Sequence, residues 1–125
     1  MPHSSSVLDG FWQMVRAELD GEQAPELVAQ RTELELRNEV YFVRFDEQII
    51  DRGVFETTTN GELKSLTLRG ESGPNAGRTI PCIYQHVGDR LRICYGLSGA
   101  APAGFTTTGL RQCYLATYRR STRPE

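Results

Sequence analysis

The chain has 125 residues, enough for one domain with its own core and too few for two. Hydrophobic residues at 38% and charged residues at 24% are ordinary for a folded protein and exclude a disordered chain. A formal charge of -2, with arginines scattered among acids, speaks against nucleic acid as a partner, because phosphate binding needs a basic face. No run approaches the roughly 18 apolar residues of a membrane helix, so no membrane association is expected.

The N-terminal Met1-Pro2-His3-Ser4-Ser5-Ser6 has neither a basic nor an apolar segment of the kind that directs secretion. Three cysteines are an odd number with no Cys-x-x-Cys spacing, which favours reduced thiols over a disulfide framework or a zinc site. Together these features point to the cytoplasm, unless a leader has been removed.

Residues 1–7 read as a mobile tail. The first predicted strand, 11–19, follows Gly10 and ends at Asp20-Gly21. Pro25-Glu26-Leu27-Val28-Ala29-Gln30 then suits a single helical turn, too short to stand alone and a candidate lid at one end of a barrel. Strand 32–37 alternates Leu34 and Leu36 with Glu33, Glu35 and Arg37, and Asn38-Glu39 turns it into the β-branched and aromatic strand 40–45. A strand at 51–57 leads to Asn60-Gly61, whose tolerance of positive φ makes it the strongest hairpin signal, and 63–69 pairs back. Residues 70–77 (GESGPNAG) are a loop by composition. Strands 80–87 and 90–95 flank Gly88-Asp89, a second long loop spans 96–109, and strand 112–120 closes the chain. The reading is all-β, with eight antiparallel strands and one short helical turn after the first strand. It implies tails at 1–7 and 121–125 around one barrel at 8–120.

The Gly88-Asp89 turn sets faces by period two. Val87 opposes Arg90, Gln85 opposes Arg92 and Ile83 opposes Cys94, a face expected to meet solvent. Cys82, Tyr84 and His86 against Leu91, Ile93 and Tyr95 form the expected inner face. Cys82 and Cys94 then lie on opposite faces, which disfavours a disulfide between them. In the first strand, an inward Trp12 carries Met14, Arg16 and Glu18 inward as well. Two buried charges must pair or reach solvent at a rim, where a twist or bulge of the strand would put them, or else form the polar end of a pocket.

Several motifs resemble a bacterial family of small lipocalin-like, calycin-type domains, most without an assigned biochemical function. They are Leu8-Asp9-Gly10-Phe11-Trp12, Glu18-Leu19-Asp20-Gly21, the block from Ile83-Tyr84 through Gly88-Asp89 to Leu91 and Cys94, and the closing Arg119-Arg120. The resemblance implies an eight-stranded up-and-down barrel with Trp12 plugging its closed end. It also implies that Arg119 or Arg120 stacks on the indole, an arrangement that gains roughly 0.5–2 kcal/mol. Gly10, Trp12, Arg119 and Arg120 are therefore the expected structural residues. The chain departs from the family pattern at Ala101-Pro102, where Arg-Pro is usual, and at Thr67, where an acid is usual. Cys82 and His86 replace the usual Gly and Leu beside Tyr84, which implies a divergent ligand.

An eight-stranded barrel holds packed side chains or one small ligand. The expected function is binding of a small, partly apolar or aromatic molecule by Arg16, Glu18, Tyr41, Cys82, Tyr84, His86, Ile93 and Tyr95. Tyr41, Tyr84, Tyr95, Tyr114 and Tyr118 supply rings to line the barrel and hydroxyls for its polar ends. The pocket is expected between Tyr84, His86, Ile93 and Tyr95, with Arg16 and Glu18 opposite and the 96–109 loop near a mouth. The alternatives are a barrel enzyme of isomerase or cyclase type, with His86, Glu18 or Tyr84 assisting, and a protein-interaction module. Cys82 lies four residues from His86, roughly 13 Å along a strand, so the two make no nucleophile–base dyad. No cofactor and no metal are expected, since two histidines, one in the tail, cannot build a His-rich metal site. The partner expected is a small-molecule ligand, with the chain a monomer or homodimer.

Overall fold

The structure, a computed structural model, describes residues 7–60, 63–102, 104–105 and 113–121. Strands β1 (Gly10–Leu19) and β2 (Glu22–Gln23) precede a helix α1 (Glu26–Gln30). Strands β3 (Thr32–Arg37), β4 (Val40–Phe45), β5 (Gln48–Asn60), β6 (Leu63–Ser72), β7 (Thr79–Val87), β8 (Arg90–Gly96) and β9 (Cys113–Ser121) follow. Each strand from β3 to β9 pairs antiparallel with the next, and β1 pairs with both β3 and β9. Eight long strands thus close a barrel, with β2 a two-residue appendage on β1. Among the described residues no helix is long and apolar enough to cross a membrane.

Every predicted strand is present, and the differences lie at the ends. β5 begins at Gln48 rather than 51, because Asp46 and Glu47 form a tight turn with φ of 52° and 68°. Asn38 and Glu39 take the same left-handed conformation at the preceding hairpin, as its two-residue turn requires. Asn60 pairs with Leu63 and so belongs to β5, and the rest of the expected Asn60-Gly61 turn lies outside the described residues. The 1–6 and 122–125 tails, residue 112, and residues 103 and 106–109 of the 96–109 loop also lie outside them.

One end of the barrel is sealed from within. Trp12 is fully buried, and its Nε1 donates to the Leu8 carbonyl at 2.9 Å. The Arg120 guanidinium lies 4.3 Å above the indole and donates to the carbonyls of Asp9 and Val7. Stacking and both hydrogen bonds thus use one cation. Gly10 makes room: its φ is +139°, and a Cβ there would sit 2.7 Å from Arg120 Nη1. Arg119, the other candidate for this role, is exposed on the outer face, since neighbours on a strand point oppositely.

A bulge decides the rest of β1. Met14 pairs with Tyr118 and Arg16 with Thr117, leaving Val15 as an extra residue. The period-two count flips there, as it does at any such insertion. Ala17 is therefore buried and Leu19 faces the interior, whereas Arg16 and Glu18 turn outward. The expectation that Arg16 and Glu18 form an inner polar end is corrected by this single residue.

The outer wall is less simple than alternation suggests. Glu35, on the expected solvent face, is only 4% exposed because Arg37 and Arg44 pair with its two carboxylate oxygens. Ile83 and Cys94 are buried rather than solvated, in a small outer cluster with Cys113 that Phe105 and Leu115 pack against. Phe105 is stacked in turn by Arg92, 4.3 Å from its ring.

Candidate functional site

Between the plug and the opposite end lies a cavity of about 390 Å³, within the range of small-molecule sites. Its body is apolar: Met14, Leu34, Leu36, Leu66, Leu68, Ile80 and Ile93 point in from successive strands by period two. Leu19, Thr32, Leu97 and Tyr114 line it toward the end away from Trp12, which is the mouth. Helix α1 sits beside that end, with Ala29 buried in the core. The Gln13 side-chain amide donates toward the carbonyls of Ala29, Gln30 and Thr32, which ties the helix to β1.

Two polar groups interrupt the apolar wall. The first joins β4, β5 and the loop after β6. Asp51, 7% exposed, accepts from Tyr41 Oη at 3.3 Å and from Asn75 Nδ2 at 2.6 Å. Arg78 donates to Asn75 Oδ1 and to the Leu97 carbonyl, bridging that loop to the one after β8. Burial, then the adjacent Asp51 carboxylate, pushes the Tyr41 ionisation well above the usual phenol range. Gly70 permits the arrangement, because a Cβ there would meet the Asn75 carbonyl oxygen. The second polar group is a pair: Tyr95 and Tyr118 hydroxyls lie 2.7 Å apart, both rings buried and both lining the cavity.

The residues expected to form the pocket separate into three places. Tyr41, Ile93 and Tyr95 line the cavity. Cys82 is buried in the same core behind it, its thiol donating to the Ile80 carbonyl. Tyr84 and His86 lie toward the plug. His86 meets Trp12 edge-on at 5.6 Å, and its Nε2 donates to the Gly88 carbonyl at 2.9 Å. His86 is not among the residues that line the cavity. Arg16 lies on the outside, in a shallow groove with Gln85, Arg90 and Arg92. Glu18 is partly buried on that side and does not line the cavity. Of the weak catalytic candidates His86, Glu18 and Tyr84, none lines the cavity.

The sequence reading did not single out Asp51, Asn75 and Arg78, and named Tyr114 and Tyr118 only as lining tyrosines. The one signal for the first group was the glycine cluster in 70–77, since a loop folded tightly onto a strand needs residues without side chains. Among the described residues no group of three or more His, Cys, Asp and Glu converges as a metal site.

All three cysteines are free and buried. Cys82 and Cys94 point to opposite faces, as the hairpin register requires. Burial raises the ionisation of Cys82 far above its usual range and pushes the Cys94 thiol up to about 11. The thiolate is the reactive form, so at pH 8 only about one Cys94 thiol in a thousand is ionised. An aromatic disulfide reagent is expected to label neither Cys82 nor Cys94 rapidly in the folded protein at pH 8. In denaturant it should find three thiols. Finding one would mean a disulfide and overturn the face assignment.

Against protein-family models, curated proteins and solved structures, the chain has no significant match.

Proposed function

We propose that the chain binds a small, predominantly apolar or aromatic molecule inside its barrel. The observation that carries this reading is the cavity of about 390 Å³, with an apolar body and a few placed polar groups. Packed interiors leave few voids larger than a water molecule, so an opening of this size is not incidental to the packing. A lipocalin-like relationship is part of the same proposal. It is supported by the Gly10-Phe11-Trp12 start and by Arg120 across the indole. The chain is taken as a cytoplasmic monomer or homodimer.

The test is native mass spectrometry of freshly purified protein, followed by titration with N-phenyl-1-naphthylamine, a neutral fluorophore that brightens in apolar surroundings. The expected results are a co-purified small molecule, or saturable uptake of one fluorophore per chain, with the mass giving the monomer or dimer directly. Protein that carries nothing and shows no saturable uptake would sink the reading.

A further inference from the structure

The Tyr95–Tyr118 pair says something about the molecule the cavity holds, if the binding function proposed above is correct. Two phenols bring two hydroxyl hydrogens. One of them lies in the 2.7 Å hydrogen bond between the rings. Neither hydroxyl has a further hydrogen bond among the described residues, which leaves one hydroxyl hydrogen of the pair free to meet a group in the cavity. Tyr95 is 9% exposed and Tyr118 3%, so the pair is reached from the cavity and not from the outer surface. A buried donor left unmatched is costly, and a chain of two hydroxyls is a stronger donor than one because each polarises the other.

The opposite wall narrows the choice of acceptor. Around the closed ring β1, β3, β4, β5, β6, β7, β8, β9, the strands β4 and β5 stand half a circumference from β8 and β9. Tyr95 and Tyr118 on β8 and β9 therefore face Tyr41 and Asp51 on β4 and β5 across the apolar body. A ligand anion would meet the Asp51 carboxylate, and the lining guanidinium of Arg78 is already engaged by Asn75 and Leu97. Burying an ion without an available counter-charge is strongly unfavourable. A neutral oxygen acceptor avoids that penalty.

We propose that Tyr95 and Tyr118 form a carbonyl-recognition subsite, and that the barrel takes a neutral ketone, aldehyde or ester on an apolar, ring-sized skeleton. The carbonyl oxygen accepts the spare hydroxyl hydrogen of the pair, and the skeleton lies between Leu34, Leu36, Leu66, Leu68 and Ile93.

The test compares 2-acetylnaphthalene with 2-isopropenylnaphthalene, in which a methylene replaces the carbonyl oxygen, each displacing N-phenyl-1-naphthylamine. The affinity ratio of ketone to alkene is measured in the wild type and in the Tyr95→Phe/Tyr118→Phe double variant. Using the ratio cancels the different cost of moving each probe out of water. The double variant removes both hydrogen-bond partners together and so leaves neither stranded, which favours folding. The ratio is expected to fall about tenfold or more in the double variant. It should change less in either single variant, because each retains one donor.

A second measurement needs only the wild type. The bound ketone, carrying carbon-13 at the carbonyl, should show its stretching band at lower wavenumber than in hexane. A band at the hexane position, or a ratio unchanged by the double substitution while both probes bind, would overturn the carbonyl subsite and leave the cavity reading standing. Failure of both probes and the fluorophore to bind the wild type would remove the cavity reading itself, and the subsite with it.

Discussion

Trp12→Ala is expected to destabilise the barrel by about 3–5 kcal/mol, the usual cost of truncating a large buried aromatic. Three features place it at the upper end. The indole is fully buried, the Arg120 guanidinium sits 4.3 Å over its ring, and its Nε1 holds the Leu8 carbonyl at the closed end. Removing the ring leaves a cavity and strands the guanidinium over it. For a chain of this length the melting temperature should drop by roughly 10–20 °C. Far-UV circular dichroism during urea unfolding is the appropriate readout, since Trp12 is the only tryptophan and its fluorescence is lost with it. Gly10→Ala probes the same plug from the other side. The new Cβ meets Arg120 Nη1 at 2.7 Å on a backbone with φ of +139°, so a loss of about 1–3 kcal/mol is expected. A Trp12→Ala protein within 1 kcal/mol of wild type would mean that the plug does not close the barrel.

Val43→Trp is expected to weaken N-phenyl-1-naphthylamine binding at least about a hundredfold while leaving the protein folded. Val43 is half-buried on the cavity wall and close enough to the rim for a larger ring to be accommodated. An indole entering a cavity of about 390 Å³ takes up space that a bound ring would need. Overpacking a full core costs typically 1–3 kcal/mol, but here the added atoms enter empty space, so the cost should fall at or below that range. Binding is read by titration and stability by thermal melting of the same sample. Unchanged uptake in a folded Val43→Trp protein would place the fluorophore outside the barrel, and the exposed apolar residues Leu27, Ile49 and Ile50 would be the next place to look.

The barrel was readable because its determinants are local. Alternation of Leu34 and Leu36 with charged neighbours, the Asn38-Glu39 and Gly88-Asp89 turns, and Gly10 before Trp12 all act within a few residues of where they occur. Strand identity follows from them; the up-and-down order and the plug were expected from the resemblance. Which arginine serves the indole waited for the register. Trp12 pairs with Arg120, and residues opposite each other on paired strands share a face.

The cavity and its chemistry depend on register and on loops, which no local pattern encodes. Val15 bulges because β9 pairs with β1 in one particular register, and that extra residue turns Arg16 and Glu18 out of the barrel. Ile83 and Cys94 look solvent-facing by alternation, but Phe105 comes from a distant loop to pack against them. Asp51 reads as the polar start of a strand until Asn75 closes on it from the loop after β6, at 2.6 Å. Tyr95 and Tyr118 stand 23 residues apart and become a hydrogen-bonded pair only when β8 and β9 lie side by side. The sequence by itself determined the eight strands, because turn chemistry and side-chain period act at short range, while the sealed end was expected only from the resemblance. Tertiary structure alone decided which polar groups reach the interior, because the free energy of burying them depends on partners that the chain brings together only when the barrel closes.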